Sequence, residues 1–146
     1  MERMSAKEYL QGIKKLDSLI NSLTEEYETM RSLALKVTAS TDGERVQNSG
    51  SQDKMADMVI RLIEQQEKIN RNIDKYINMR ANIHEVLSLL DNGDHIRLLY
   101  KRYFEYKSWE VIAYEMHYTY RWITNMHGKA LMELDKILDE RVPRSS

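Results

Sequence analysis

The chain is predicted to be all-α: a long antiparallel helical hairpin of coiled-coil character, followed by a three-helix domain with a helix-turn-helix. Three observations predict this. Apolar residues recur at steps of three and four along both long segments of residues 1–90. One Pro and five Gly in 146 residues leave little to interrupt helices. Residues 109–128 (WEVIAYEMHYTYRWITNMHG) carry the pattern of two short helices packed across a tight bend.

The first helix is expected over about residues 5–37. There Ile13, Leu16, Ile20, Leu23, Tyr27, Met30, Ala34 and Val37 form one heptad seam. Residues of about 38–52 lose the period and are rich in Ser, Thr, Asn, Asp and Gly, which predicts a loop. Arg45 in that loop has the chemistry to pair with a carboxylate or dock to a partner.

The second helix is expected to begin near Asp53, an N-cap residue type. Met55, Leu62, Ile69, Tyr76, Ile83 and Leu90 recur at every seventh position, and Met58, Met79 and Val86 supply a second row that Gln65 and Asn72 interrupt. Val59, Ile73 and Leu87 widen the stripe beyond a two-stranded seam. Asp57 and Arg61, Glu64 and Lys68, and Glu67 and Arg71 are acid-before-base pairs suited to an exposed helix face. Neither helix can bury its stripe alone. The two are therefore expected to fold back on each other as an arm covering residues 1–90. The width of the stripe leaves room for a second copy of the arm, hence an expected homodimer, or for the C-terminal helices.

Asp91-Asn92-Gly93-Asp94 reads as a helix stop and a new start, with Gly93 in the left-handed position and Asp94 as the next N-cap. Composition changes here too: nine of the twelve aromatic residues lie between Tyr100 and Trp122, which sets a domain boundary near residue 91. The domain at 91–140 should hold helices over about 94–106, 109–116 and 120–139, with Ser108 and Thr119 as N-caps and Glu110 favoured by the helix dipole. Residues 141–146 are a tail. Across the bend, Ile112, Met116, Tyr118, Ile123 and Met126 are expected to pack, with Ala113 small where the helices touch. His117 departs from the motif at its ninth position, where positive φ usually selects Gly, so the turn is expected to differ from the simplest helix-turn-helix.

Net charge is −1, so the whole chain does not point to nucleic acid. Locally, residues 95–131 hold six basic residues (Arg97, Lys101, Arg102, Lys107, Arg121, Lys129) against three acidic ones (Glu105, Glu110, Glu115), an excess suited to phosphates. No run of 18 apolar residues and no signal-peptide pattern occurs, so no membrane partner is expected. The absence of Cys removes disulfides and thiolate metal sites and fits a reducing cytoplasm. The four His residues (His84, His95, His117, His127) make no i, i+4 metal pair, and no phosphate-cradling Gly-rich loop occurs. The carboxylates Glu25, Glu26 and Glu28 sit among alternating charges on a helix. The expectation is a protein that is not an enzyme and needs no cofactor or metal.

The outward residues of the second helix of the bend are Thr119, Tyr120, Arg121, Thr124, Asn125 and Gly128, with Lys129 one step on. Arg121 can donate twice to a guanine edge and Asn125 can pair with adenine, and their spacing of four puts them on one face. Thr119 and Thr124 suit phosphate or a thymine methyl, Gly128 permits close approach, and Lys129 suits the backbone. Lys101, Arg102 and Lys107 are candidates for phosphate clamping from the other helices. Trp122 is expected to be partly buried in the Tyr118/Met126 row, which leaves Tyr120 as the better aromatic contact to double-stranded DNA.

Residues 96–138 resemble region 4 of the sigma-70 family, through LLYKRYFEYKSWEVIA, Tyr118-Thr119 at the bend, and the small-Leu pair Ala130-Leu131. The chain from about 40 to 138 is also similar to the RinA/ArpU-like late transcription regulators, small phage proteins of Gram-positive hosts. GERVQNSGSQDKMADMV, YKRYFEYKSWEVIA and MHGKAL occur in the family's order. The resemblance implies a sigma-region-4-like DNA-binding domain in phage late-gene control, working in the host cytoplasm and contacting bacterial RNA polymerase. Two other classes share this architecture: small terminase subunits that mark DNA for packaging, and protein adaptors that use the helix-turn-helix face.

Overall fold

The computed structural model describes residues 4–41 and 49–141. Among them the chain is all-helical, with five helices and no strand: α1 (Ala6–Thr41), α2 (Ser49–Leu87), α3 (Gly93–Tyr103), α4 (Trp109–Met116) and α5 (Tyr120–Arg141). It divides into two compact units, the described parts of Met1–Lys15 with Ile77–Ser146, and Leu16–Tyr76.

In Leu16–Tyr76 the heptad residues are the covered ones. Leu16, Ile20, Leu23, Tyr27, Met30, Ala34 and Val37 on α1, and Met55, Met58, Leu62, Ile69 and Tyr76 on α2, are half-buried between exposed neighbours. The two polar interruptions are satisfied. Gln65 donates Nε2 to the Leu23 carbonyl at 3.1 Å, and buried Asn72 donates to the Lys68 carbonyl at 2.8 Å. A buried amide left without a partner would cost about 1–3 kcal/mol. Val59 and Ile73, which the sequence assigns to a widened stripe, are exposed.

The loop expected over about 38–52 is shorter than that. α1 continues to Thr41 and α2 starts at Ser49, so only residues 42–48, Arg45 among them, lie between the helices and outside the described residues. The polar composition misleads because hydroxyl side chains can satisfy themselves on a helix: Thr38 Oγ1 donates to the Ala34 carbonyl at 2.9 Å.

In the other unit Leu10 and Ile13 of α1 and Ile83, Val86 and Leu87 of α2 are buried, as are Leu98, Leu99, Ile112, Ile123, Ala130, Leu134 and Leu138 of the three short helices. Residues 4–15 and 77–90 thus belong to the same compact unit as the helices that follow the turn near residue 91. Polar ties fix the α5 rotation. Asp135 Oδ1 accepts the Ala6 N–H at 2.8 Å, while Glu133 accepts the Asp91 N–H at 2.9 Å and faces His95 Nδ1 at 2.8 Å. Burial alone would raise the Glu133 pKa, but the Asp91 N–H and His95 outweigh it and the carboxyl stays below its usual range.

The start of α3 corrects a sequence expectation. Gly93 is not left-handed, and the N-cap is Asn92 rather than Asp94: its side chain accepts the Asp94 N–H at 2.9 Å. Asp94 is left in the first turn, where the dipole favours it. At its other end α3 stops at Tyr103, three residues short of the expected 106. Tyr106 takes φ 57°, and such a left-handed residue cannot continue a helix.

Candidate nucleic-acid interface

Ser108 starts α4 by accepting the Val111 N–H at 3.3 Å. After eight residues His117 adopts φ 60°, ψ 39°, the left-handed position where Gly is common. The Tyr118 N–H then reaches back to the Ala113 carbonyl at 3.0 Å, and the His117 N–H to Tyr114 at 3.3 Å, the Schellman arrangement that ends a helix sharply. Thr119 Oγ1 accepts the Trp122 N–H at 3.1 Å and opens α5. The bend is therefore three residues long, His117 to Thr119, between capped helices.

Beneath it Leu98, Ile112, Ala113, Met116, Ile123 and Met126 form one cluster, with Trp109 packed against it. Four of the five residues expected to pack across the bend do so, together with Ala113. Tyr118 is the exception. It is 36% exposed, donates its hydroxyl to Asp94 Oδ2 at 2.6 Å and stacks on Trp122 at 6.0 Å between ring centroids. Trp122, expected to be partly buried, is 54% exposed. Trp122 and Met126 lie one turn apart on α5 and only Met126 reaches the core, so the Trp122 ring is covered instead by Tyr118 from the bend.

His127 lies in the packing rather than on the outer face. Its Nε2 is 2.8 Å from the Tyr103 hydroxyl and its ring is 4.6 Å from that of Trp109. Burial first, and then the positive charges of Arg102 and Lys7, push its pKa down to about 4, so the ring is neutral near pH 7.

The ten predicted contact residues fall into two groups. Thr119, Tyr120, Arg121, Asn125, Gly128 and Lys129 are exposed on α5 or at its start, and Thr124 is half-exposed with its hydroxyl donated to the Arg121 carbonyl. Arg121, Asn125 and Lys129 make no ion pair or side-chain hydrogen bond among the described residues. No acidic residue lies in the first turn of α5, so its positive dipole end is uncompensated.

Lys101, Arg102 and Lys107 come together elsewhere and are partnered. Lys101 meets Glu115 at 2.7 Å, and Lys107 meets Glu115 at 2.6 Å and Glu105 at 2.8 Å. Arg102 donates to the Lys107 carbonyl at 3.0 Å and lies 4.2 Å over the Trp109 ring. Hydrogen bonds from Lys101 and then Lys107 lower the Glu115 pKa; those to Glu105 and then Glu115 raise that of Lys107. This network ties α3 and the α3–α4 connection to α4.

Two features of the face escaped the sequence reading. A hollow of about 320 Å³ opens beside α5, lined by Asn92, His95, Trp122, Asn125, Met126 and Lys129. Tyr114, near the end of α4, is 84% exposed. The Tyr114 exposure is signalled by its place directly after Ile112 and Ala113 on a short amphipathic helix; nothing in the sequence signals the hollow.

Comparison with family models, curated proteins and solved structures finds no match to this chain. Among the described residues no group of three His, Cys, Asp or Glu side chains is placed to hold a metal, and no helix is long and apolar enough to cross a membrane.

Proposed function

We propose that this chain is a sequence-specific DNA-binding transcription regulator of phage late genes. In this reading α4 and α5 act as a helix-turn-helix resembling sigma-70 region 4, and α5 enters the major groove. α1 and α2 form an antiparallel arm. Regulation works by contact with the host RNA polymerase, which raises its occupancy at the bound site, and no chemistry occurs in this chain.

One observation carries the reading. Arg121 and Asn125 stand one turn apart, exposed and unpartnered among the described residues, on a helix whose rotation is set by buried Ile123 and Met126. Arg and Asn are the side chains whose paired hydrogen bonds distinguish guanine and adenine edges. The uncompensated start of α5 and Lys129 favour the flanking phosphates.

The test is genome-wide mapping of bound DNA in the host, then affinity measurements on a recovered duplex. Sites should lie upstream of late operons, whereas clustering at packaging starts would favour a terminase-like role. Arg121→Ala with Asn125→Ala should weaken specific binding by roughly 100-fold or more, at about 1–3 kcal/mol per paired contact. Undiminished affinity in that double variant would refute this reading face.

A further inference from the structure

We propose that Gln11, Lys14 and Arg102 form a phosphate site, which seats a phosphodiester of the duplex backbone beside the groove that α5 reads. This inference rests on the DNA reading for the source of the phosphate, and it extends the contact surface to α1.

A hollow of about 120 Å³ lies between the first turns of α1 and the end of α3, lined by Gln11, Lys14, Arg102, Tyr103 and Tyr106. All five residues belong to one compact unit. Every one of them carries an N–H or O–H donor on its side chain, and none is acidic. Size narrows the ligand class. Small-molecule pockets run to about 300–1,000 Å³, so this hollow is too small for a whole nucleotide and suits a single phosphate group.

The two cations are not neutralised by carboxylates. Arg102 gives one N–H to the Lys107 carbonyl at 3.0 Å and lies 4.2 Å over the Trp109 ring. Those contacts fix the plane of the guanidinium and leave other N–H groups of its fork to donate. Lys14 sits 5.6 Å over the Tyr106 ring. Neither cation makes an ion pair among the described residues, and the Gln11 amide makes no side-chain hydrogen bond there. Glu105 and Glu115, the nearest acids on the α3–α4 connection and on α4, are held by Lys107 and Lys101.

Lys7, Gln11 and Lys14 follow at steps of four and three, so one face of α1 carries two cations and an amide. Their charge is felt nearby: after burial, Arg102 and Lys7 are what hold the His127 ring below its ordinary pKa. An anion in the hollow would relieve this crowding of like charge.

Short contacts join the hollow to α5. The Tyr103 hydroxyl meets His127 at 2.8 Å, and Arg102 covers Trp109, whose ring is 4.6 Å from that of His127. His127 precedes Gly128, so the hollow adjoins the Gly128 end of the proposed reading face.

The test has two arms. In the first, the full chain with labelled arginine side chains is titrated by nuclear magnetic resonance with sodium phosphate against sodium chloride, at matched ionic strength near neutral pH. The Arg102 signal is assigned by its loss in Arg102→Lys. Phosphate alone should move it, and Gln11→Glu, which sets a carboxylate in the hollow, should abolish the shift. In the second arm, Lys14→Gln should flatten the slope of log affinity against log salt by about 0.9, which is roughly eightfold weaker binding at about 0.1 M salt. The loss should be the same on specific and unrelated duplexes, because a backbone contact carries no sequence information. Gln11 and Lys14 are exposed, so the helical circular dichroism of both variants should match the parent. Arg121→Ala with Asn125→Ala does the converse and removes sequence preference, so failure of either reading shows apart from the other. A phosphate shift with an unaltered DNA slope would keep the site but overturn the duplex backbone as its source, in favour of a free phosphate ester. An unaltered slope in Lys14→Gln without any phosphate-specific shift would overturn the site. If the parent binds no duplex at all, the α5 reading fails and the first arm alone decides the site.

Discussion

The Tyr103 hydroxyl lies 2.8 Å from Nε2 of His127, in hydrogen-bond contact with a half-buried ring that burial keeps neutral. Its folded pKa is about 4 against the ordinary 6.5. Between those values the unfolded chain binds a proton that the folded chain refuses, so stability falls as pH drops through the window and the loss is complete below about 4. His84, lowered first by burial and then by Arg80, contributes with the same sign. The His127 difference corresponds to roughly 3 kcal/mol, which partial exposure screens to about 1–2 kcal/mol. Urea midpoints of the parent and of His127→Phe, measured from pH 7 to pH 4, should diverge: the variant's pH slope is the shallower. Equal slopes would place the acid sensitivity on other groups.

Glu115 holds Lys101 and Lys107 together, so Glu115→Gln should act twice. It should lower the melting temperature at neutral pH, and by less as pH falls toward the lowered Glu115 pKa, because the carboxylate's contribution is lost there in the parent as well. It also releases two cations from their partner. Non-specific DNA binding should then strengthen and its salt dependence steepen. Calorimetry and a salt titration of anisotropy check the two halves separately. A melting change without any change in salt slope would show that these lysines serve only the fold.

What the sequence made legible was the periodic part. Steps of three and four located the covered residues of α1 and α2, and Ile112, Ala113, Ile123 and Met126 were readable as core because spacing on a short helix leaves few choices. Contacts between distant residues were not readable. Glu115 pairs with Lys107 eight positions away and Lys101 fourteen away, and no local pattern distinguishes those lysines from the unpartnered Lys129. Trp122 shows the limit differently: its row points to the core, but whether a row's end is covered depends on where the neighbouring helices stop. Asn92 and Asp94 are both capping types, and only backbone dihedrals chose between them. His117 went the other way: its departure from the Gly usual at the motif's ninth position suggested a different turn, yet its backbone takes the left-handed conformation that the position calls for.

Ile123 is fully buried in the cluster under the bend, with Ile112 and Leu98 also at 0% exposure. Ile123→Ala removes buried methyl groups at the point that fixes the outward rotation of Arg121 and Asn125. The expected loss is about 2–5 kcal/mol of unfolding free energy, as for large-to-small changes in close-packed interiors. Denaturant melts would measure it. A cost below about 1 kcal/mol would mean that the cluster does not hold α5 in place.

Gly128 separates stability from DNA approach. It lies inside α5 on the exposed side with no positive φ, and a Cβ added there meets nothing within 4 Å. Nothing in the fold requires Gly at this position, and in a helix interior it is worse than Ala by roughly 0.5–1 kcal/mol. Gly128→Ala should therefore raise the melting temperature by a few degrees. If α5 lies in the groove with its backbone close to the duplex, the same methyl group should weaken DNA binding, and Gly128→Leu should weaken it further while remaining stable. Melting and anisotropy on the same preparations decide the matter. A variant both more stable and undiminished in affinity would leave this stretch of α5 outside the duplex and confine the reading surface to the helix's first turns.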